Sequence, residues 1–151
     1  MKQWKSVNEI LDFAIKNEEE AAQFYTDLSE KMSRTSMRGV FKGFAQEEMG
    51  HKAKLLKIKA GGSLEPSKNT VIDLKIGDYL VDVDPDSDLT YQKALILAMK
   101  KEKAAFKLYI DLSQATQDPG IKDLFLMLAQ EEAKHKLRFE IEYDDEIMTD
   151  N

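Results

Sequence analysis

Apolar residues in this chain recur at alternating intervals of four and three, the heptad spacing of a helix that buries one stripe. The first such run is Val7, Leu11, Ala14, Glu18, Ala21, Tyr25, Leu28, Met32. A second passes through Met37, Phe41, Phe44, Glu48, His51, Leu55 and Ile58, and a third through Tyr91, Leu95, Ala98, Glu102, Ala105, Tyr109 and Leu112. The fourth is Ile121, Phe125, Leu128, Glu132, His135, Phe139. Four amphipathic helices and no alternating strand pattern predict an all-α fold.

Local signals set the expected boundaries. Ser6 with Glu9 three residues on is a capping-box pattern for a first helix reaching about Met32. The second runs from about Thr35 to Lys59 and stops at Gly61-Gly62. The third spans about Asp88–Thr90 to Thr116, and Asp118-Pro119 supplies an N-cap and N1 proline for the fourth. That helix is expected to end near Tyr143, leaving an acidic, solvated tail over 144–151.

The chain repeats itself. Displaced by 84 residues, Val7–Ile58 lies over Tyr91–Glu142 without a gap, and 16 of 52 positions are identical where chance gives about three. NEEEAAQFYTDLSE covers KEKAAFKLYIDLSQ, and FAQEEMGHK covers LAQEEAKHK. One domain of two helical hairpins follows: repeat 1 over about 6–60, repeat 2 over about 89–143, and a crossover over 61–88. The crossover is too long for a tight turn and suits a ferritin-like four-helix bundle. Its Val71, Ile72, Leu74, Ile76, Tyr79 and Leu80 are expected to pack a short helix or turn onto the helices, and Trp4 to pack at their end.

Each seam holds one glutamate where an apolar residue belongs. Ionised carboxylates in a core cost several kcal/mol or more unless compensated, on the order of the penalty for any buried ion. Protonation, a buried cationic side chain or a bound cation would compensate them, and no seam has a central lysine or arginine. Two divalent cations would balance four carboxylates. The chain has only two histidines, and both follow a seam glutamate by three residues, on the same helix face. Glu18, Glu48, His51, Glu102, Glu132 and His135 are therefore the candidate ligands of a carboxylate-bridged dimetal site, with Glu48 and Glu132 as bridges. Oxygen and imidazole donors without sulfur suit two iron ions, with manganese or zinc as other occupants. Tyr25 and Tyr109 lie seven residues past a seam glutamate. They are either core residues or hydrogen-bond partners of the metal-bound carboxylates. Glu19, Glu20, Glu47 and Glu131 fall off the seams and are read as solvated.

Composition narrows the field. The chain has no cysteine, which excludes disulfides, thiolate zinc sites and iron–sulfur clusters, and fits a reducing cytoplasm. A net charge of -6 disfavours nucleic acid as partner. No stretch approaches the roughly 20 apolar residues of a membrane span, and no apolar run of signal-peptide type opens the chain. A soluble cytoplasmic protein is expected.

AIKNEEEAAQFY, FAQEEMGH, AMKKEKAAFKLY and LAQEEAKH together resemble the rubrerythrin branch of the ferritin-like superfamily over nearly the whole chain. The resemblance implies a non-haem di-iron centre reacting with hydrogen peroxide or dioxygen, a homodimer, and a role in oxidative-stress defence. The alternative is a ferroxidase or iron-binding protein for storage or delivery. An oxygenase of organic substrates and a metal-stabilised interaction module are further readings. Two departures stand out. Typical rubrerythrins carry a four-cysteine rubredoxin domain, so an external donor, rubredoxin-like or a small reductant, is needed here. They also carry a glutamate one turn after the third-helix ligand, which exchanges with a histidine on redox change; here that position is Ala105.

Overall fold

A computed structural model of the chain describes residues 7–31, 35–61 and 91–150. They form four α-helices, α1 (Val7–Lys31), α2 (Thr35–Gly61), α3 (Tyr91–Ala115) and α4 (Pro119–Asp150), with no β-strand among the described residues. The fold class is all-α, as the heptad spacing predicts. Trp4, Ser6 and the crossover residues Val71 to Leu80 lie outside the described residues. Among the described residues no helix is long and apolar enough to cross a membrane.

The chain divides into two compact units. One holds α1 and α2 together with residues 115–121; the other holds residues 91–114 and 122–150, the bulk of α3 and α4. Each unit thus corresponds closely to one sequence repeat. In the first, Ile10, Leu11, Ala14, Tyr25 and Leu28 of α1 and Met37, Phe41, Leu55 and Ile58 of α2 are buried. The Tyr25 ring lies nearly parallel to Phe41 (centroids 6.5 Å, 8°) and edge-on to Phe44 (6.0 Å, 67°). Polar contacts on the flanks, Lys52 with Glu19 at 2.8 Å and Lys59 with Asp12, tie the same two helices.

The second unit repeats this packing. Tyr109 and Phe125, the counterparts of Tyr25 and Phe41, form the same near-parallel pair (6.3 Å, 17°). Leu95, Ala98, Leu108, Leu112, Leu128 and Phe139 complete its core. Repetition of a buried aromatic pair means that the 84-residue periodicity extends from sequence into side-chain packing.

α4 runs on to Asp150, past the stop expected near Tyr143. Residues 144–150 contain neither glycine nor proline, so no backbone signal ends the helix there. Its start is well defined. Asp118 Oδ1 accepts hydrogen bonds from the backbone N–H of Gly120 (2.9 Å) and Ile121 (3.2 Å), while Asp118 N–H donates to Thr116 Oγ1 (3.2 Å). These contacts satisfy amides that a helix leaves open in its first turn, and Pro119 needs none. Asp118→Ala is expected to lower unfolding stability by about 1 kcal/mol, and Asp118→Asn by much less; urea denaturation followed by circular dichroism measures both.

Candidate metal centre

Heptad spacing carries each candidate ligand into the interior. Glu18, Glu48, His51, Glu102, Glu132 and His135 are each at most 2 % exposed, as buried as the leucines around them. In the first unit, α1 supplies Glu18 and α2 supplies Glu48 and His51, whose ligand atoms all lie within 4.8 Å of one another. In the second, α3 supplies Glu102 and α4 supplies Glu132 and His135, again within 4.8 Å. Each unit therefore holds two carboxylates and one imidazole, a candidate half-site for metal. Every residue expected to ligate from the sequence falls in one of them.

The separations are informative. His51 Nδ1 stands 3.5 Å from Glu18 Oε2 and 3.6 Å from Glu48 Oε1. His135 Nδ1 stands 3.7 Å from Glu102 Oε1. These distances exceed the ordinary 2.7–3.2 Å of a hydrogen bond. They are close to the separation of atoms that share an ion. Two donors each about 2.1 Å from one metal, at roughly 90–110°, stand about 3.0–3.4 Å apart. In both units it is Nδ1, the ring nitrogen nearer the helix, that turns to the carboxylates. Hard oxygen and imidazole donors with no sulfur fit iron, manganese or zinc. Within each hairpin the histidine also lies beside that hairpin's own terminal glutamate, Glu18 with His51 and Glu102 with His135.

The remaining candidates divide. Tyr25 and Tyr109 are fully buried, and their rings belong to the aromatic pairs that hold each hairpin together. Glu19, Glu20 and Glu47 are exposed as expected, whereas Glu131 is half-buried. An open groove of about 610 Å³ follows α1 and α2 between Glu19, Ala22, Thr26, Ala45 and Met49, and no half-site ligand lines it.

One buried acid escaped the sequence reading. Glu142 is 6 % exposed, and Tyr91 Oη donates to its Oε1 at 2.8 Å. The spacing held a signal for it, since three residues past Phe139 the α4 seam reaches 142. In the first repeat the corresponding positions are Val7 and Ile58, so the second hairpin has two polar residues where the first has two apolar ones.

A buried cluster of two carboxylates and an imidazole in each of two helical hairpins is an arrangement suited to binding metal. The structure is similar to that of a protein from Thermotoga maritima described as a candidate ferritin-like diiron-carboxylate protein. There the TM-score is 0.76 and the identity 23%, over 97% of this chain and 99% of that one. It is also similar to a hypothetical protein from Pyrococcus furiosus, with TM-score 0.73 and 25% identity over 93% of this chain and 89% of that one. The family model "Rubrerythrin" matches residues 9–143, and the chain belongs to the rubrerythrin family. No curated protein matches it significantly.

Glu48 supplies a test of the electrostatics. Glu48→Gln keeps the shape of the side chain and removes its charge. The variant is expected to bind at least one metal ion fewer per chain, and its metal-free form to melt at or above the metal-free parent. Metal analysis by mass spectrometry and thermal melts in chelator check both; unchanged metal content would contradict the assignment.

Proposed function

We propose that the six ligands hold two iron ions and that the protein is a rubrerythrin-like oxidoreductase, reducing hydrogen peroxide or dioxygen. In this reading Glu18, Glu48 and His51 would hold one ion, and Glu102, Glu132 and His135 the other. What carries it is the duplication of one buried Glu/Glu/His cluster, at matching positions of two hairpins, in a chain with no other histidine.

Iron held by these residues would supply the electrons for reduction of the oxidant. The chain does the rest. Four carboxylates neutralise the charge of two dications. Each histidine would offer Nδ1 as a neutral imidazole donor, which would keep the net charge of the centre near zero in the interior. Buried apolar neighbours on the same seams, Ala14 and Leu55 in one hairpin and Ala98 and Phe139 in the other, keep bulk water from the ligands. The hydroxyls of Tyr25 and Tyr109 are assigned to steadying the carboxylates. With Ala105 in place of the usual extra glutamate, the ligand set is symmetric and offers no partner for a histidine–glutamate exchange. Without cysteine the chain has no thiolate-bound relay of its own, and electrons come from an external donor. Removal of peroxide or dioxygen in this way serves oxidative-stress defence.

Stopped-flow mixing of the Fe(II)-loaded protein with hydrogen peroxide, and separately with dioxygen, tests the proposal. Oxidation is expected to be faster than that of free Fe(II) under the same conditions for at least one oxidant. Rates no faster than free Fe(II) with both would reject a catalytic role.

A further inference from the structure

A helix that packs on one side is expected to be polar on the other. α4 departs from this. Leu126, Met127, Leu137 and Ile141 are between 38 % and 56 % exposed. The helical period brings them onto one face, turned away from the buried seam of Ile121, Phe125, Leu128 and Phe139. Gln130 and Lys134 lie among them, and Asp123 and Asp144 stand towards the two ends, all exposed. The face is about 30 Å long. Apolar residues scattered singly over a surface need no explanation, but four aligned on one helix face do.

The matching face of α2 is its inverse. Displaced by 84 residues, Asp123 corresponds to Gly39, Met127 to Gly43, Lys134 to Gly50 and Leu137 to Ala53, while Met49 stands where α4 has Ala133. A Cβ added at Gly39, Gly43 or Gly50 would meet nothing within 4 Å. Packing among the described residues therefore gives no reason for glycine, which is unfavourable in a helix interior. Beside α1 this face falls into the groove of about 610 Å³ whose lining includes Lys42, Gln46 and Met49. Charge is inverted as well. Exposed Lys42 and Lys57 stand towards the ends of the α2 face, where α4 carries Asp123 and Asp144 towards its own.

We propose that the apolar face of α4 in one copy of the chain docks on the outer face of α2 in a second copy. Met127, Leu137 and Ile141 of the one enter the low ground that Gly39, Gly43, Gly50 and Ala53 leave on the other, so the helix axes approach closely. Lys42 and Lys57 then meet Asp123 and Asp144 whether the two helices run parallel or antiparallel, because α2 is basic towards both ends and α4 acidic towards both. Pairing like with like loses this match. α4 on α4 sets acid against acid, and α2 on α2 sets base against base. Complementary charge of this kind selects the partner face more than it adds affinity. The inference is independent of the metal-binding reading.

Sedimentation equilibrium of the full-length protein across roughly 1–200 μM, the range of a modest interface, tests this. The parent chain is expected to show a mass above the 17.3 kDa of one copy. Leu137→Lys/Ile141→Lys, at exposed positions, should abolish association with helix content by circular dichroism unchanged. Lys42→Glu/Lys57→Glu and, separately, Asp123→Lys/Asp144→Lys should each weaken it by at least about tenfold. Mixed one to one, these two variants should associate again. An acidic α2 face then meets a basic α4 face, and the unaltered faces pair as in the parent.

A parent chain of 17.3 kDa at every concentration would overturn the proposal, a result that needs no variant to fold. So would association that Leu137→Lys/Ile141→Lys leaves intact, or that survives either charge reversal alone, since pairing of α4 with α4 or α2 with α2 would then explain it. Failure of the two charge-reversed variants to associate when mixed, with the circular dichroism of each like that of the parent, would overturn it too.

Discussion

Like charges held close together in an apolar interior are the constraint around which this molecule is arranged. In each hairpin two carboxylates and an imidazole nitrogen lie within 4.8 Å of one another at almost no exposure. Two carboxylates at such a distance repel by on the order of 3–4 kcal/mol at an intermediate effective dielectric, beyond the cost of removing each from water. Positive charge of high density would resolve that conflict, and a divalent cation would supply it. The same terms that penalise the empty cluster would then drive metal uptake.

The fold provides what such a cluster needs from its support. Long helices with heptad seams give each ligand a fixed rotation and depth, and the aromatic pairs Tyr25–Phe41 and Tyr109–Phe125 lock each hairpin two turns away. Glu-x-x-His on one helix places two donors on the same face, and the partner helix contributes one more glutamate. Duplication of the hairpin duplicates the half-site without new invention. Divergence after duplication is visible chiefly in the outer faces of α2 and α4 and in the Tyr91–Glu142 clasp, which has no counterpart in the first repeat.

Much of this was legible in the chain. The 84-residue repeat and the interruption of four apolar seams by glutamate singled out all six residues of the two buried clusters, because burying a charge violates the heptad rule at a definite position. Other features were hidden. Glu142 continues the α4 seam, but a lone acid near a helix end reads equally well as a fraying, solvated residue. Only its contact with Tyr91, from a position 51 residues away in sequence, distinguishes the two. The run of α4 to Asp150 was missed because acidic composition signals solvation and says little about backbone conformation. Pairing of each histidine with the glutamate of its own hairpin was also beyond spacing alone, since spacing fixes a face and not a neighbour.

The most direct test of the account is the metal content of the native chain. Protein purified without added metal or chelator, then measured by native mass spectrometry and elemental analysis, should carry up to two first-row metal ions per chain. Chelation should remove them and lower the melting temperature. A chain that carries no metal, takes none up when it is offered, and melts identically with and without chelator would contradict it.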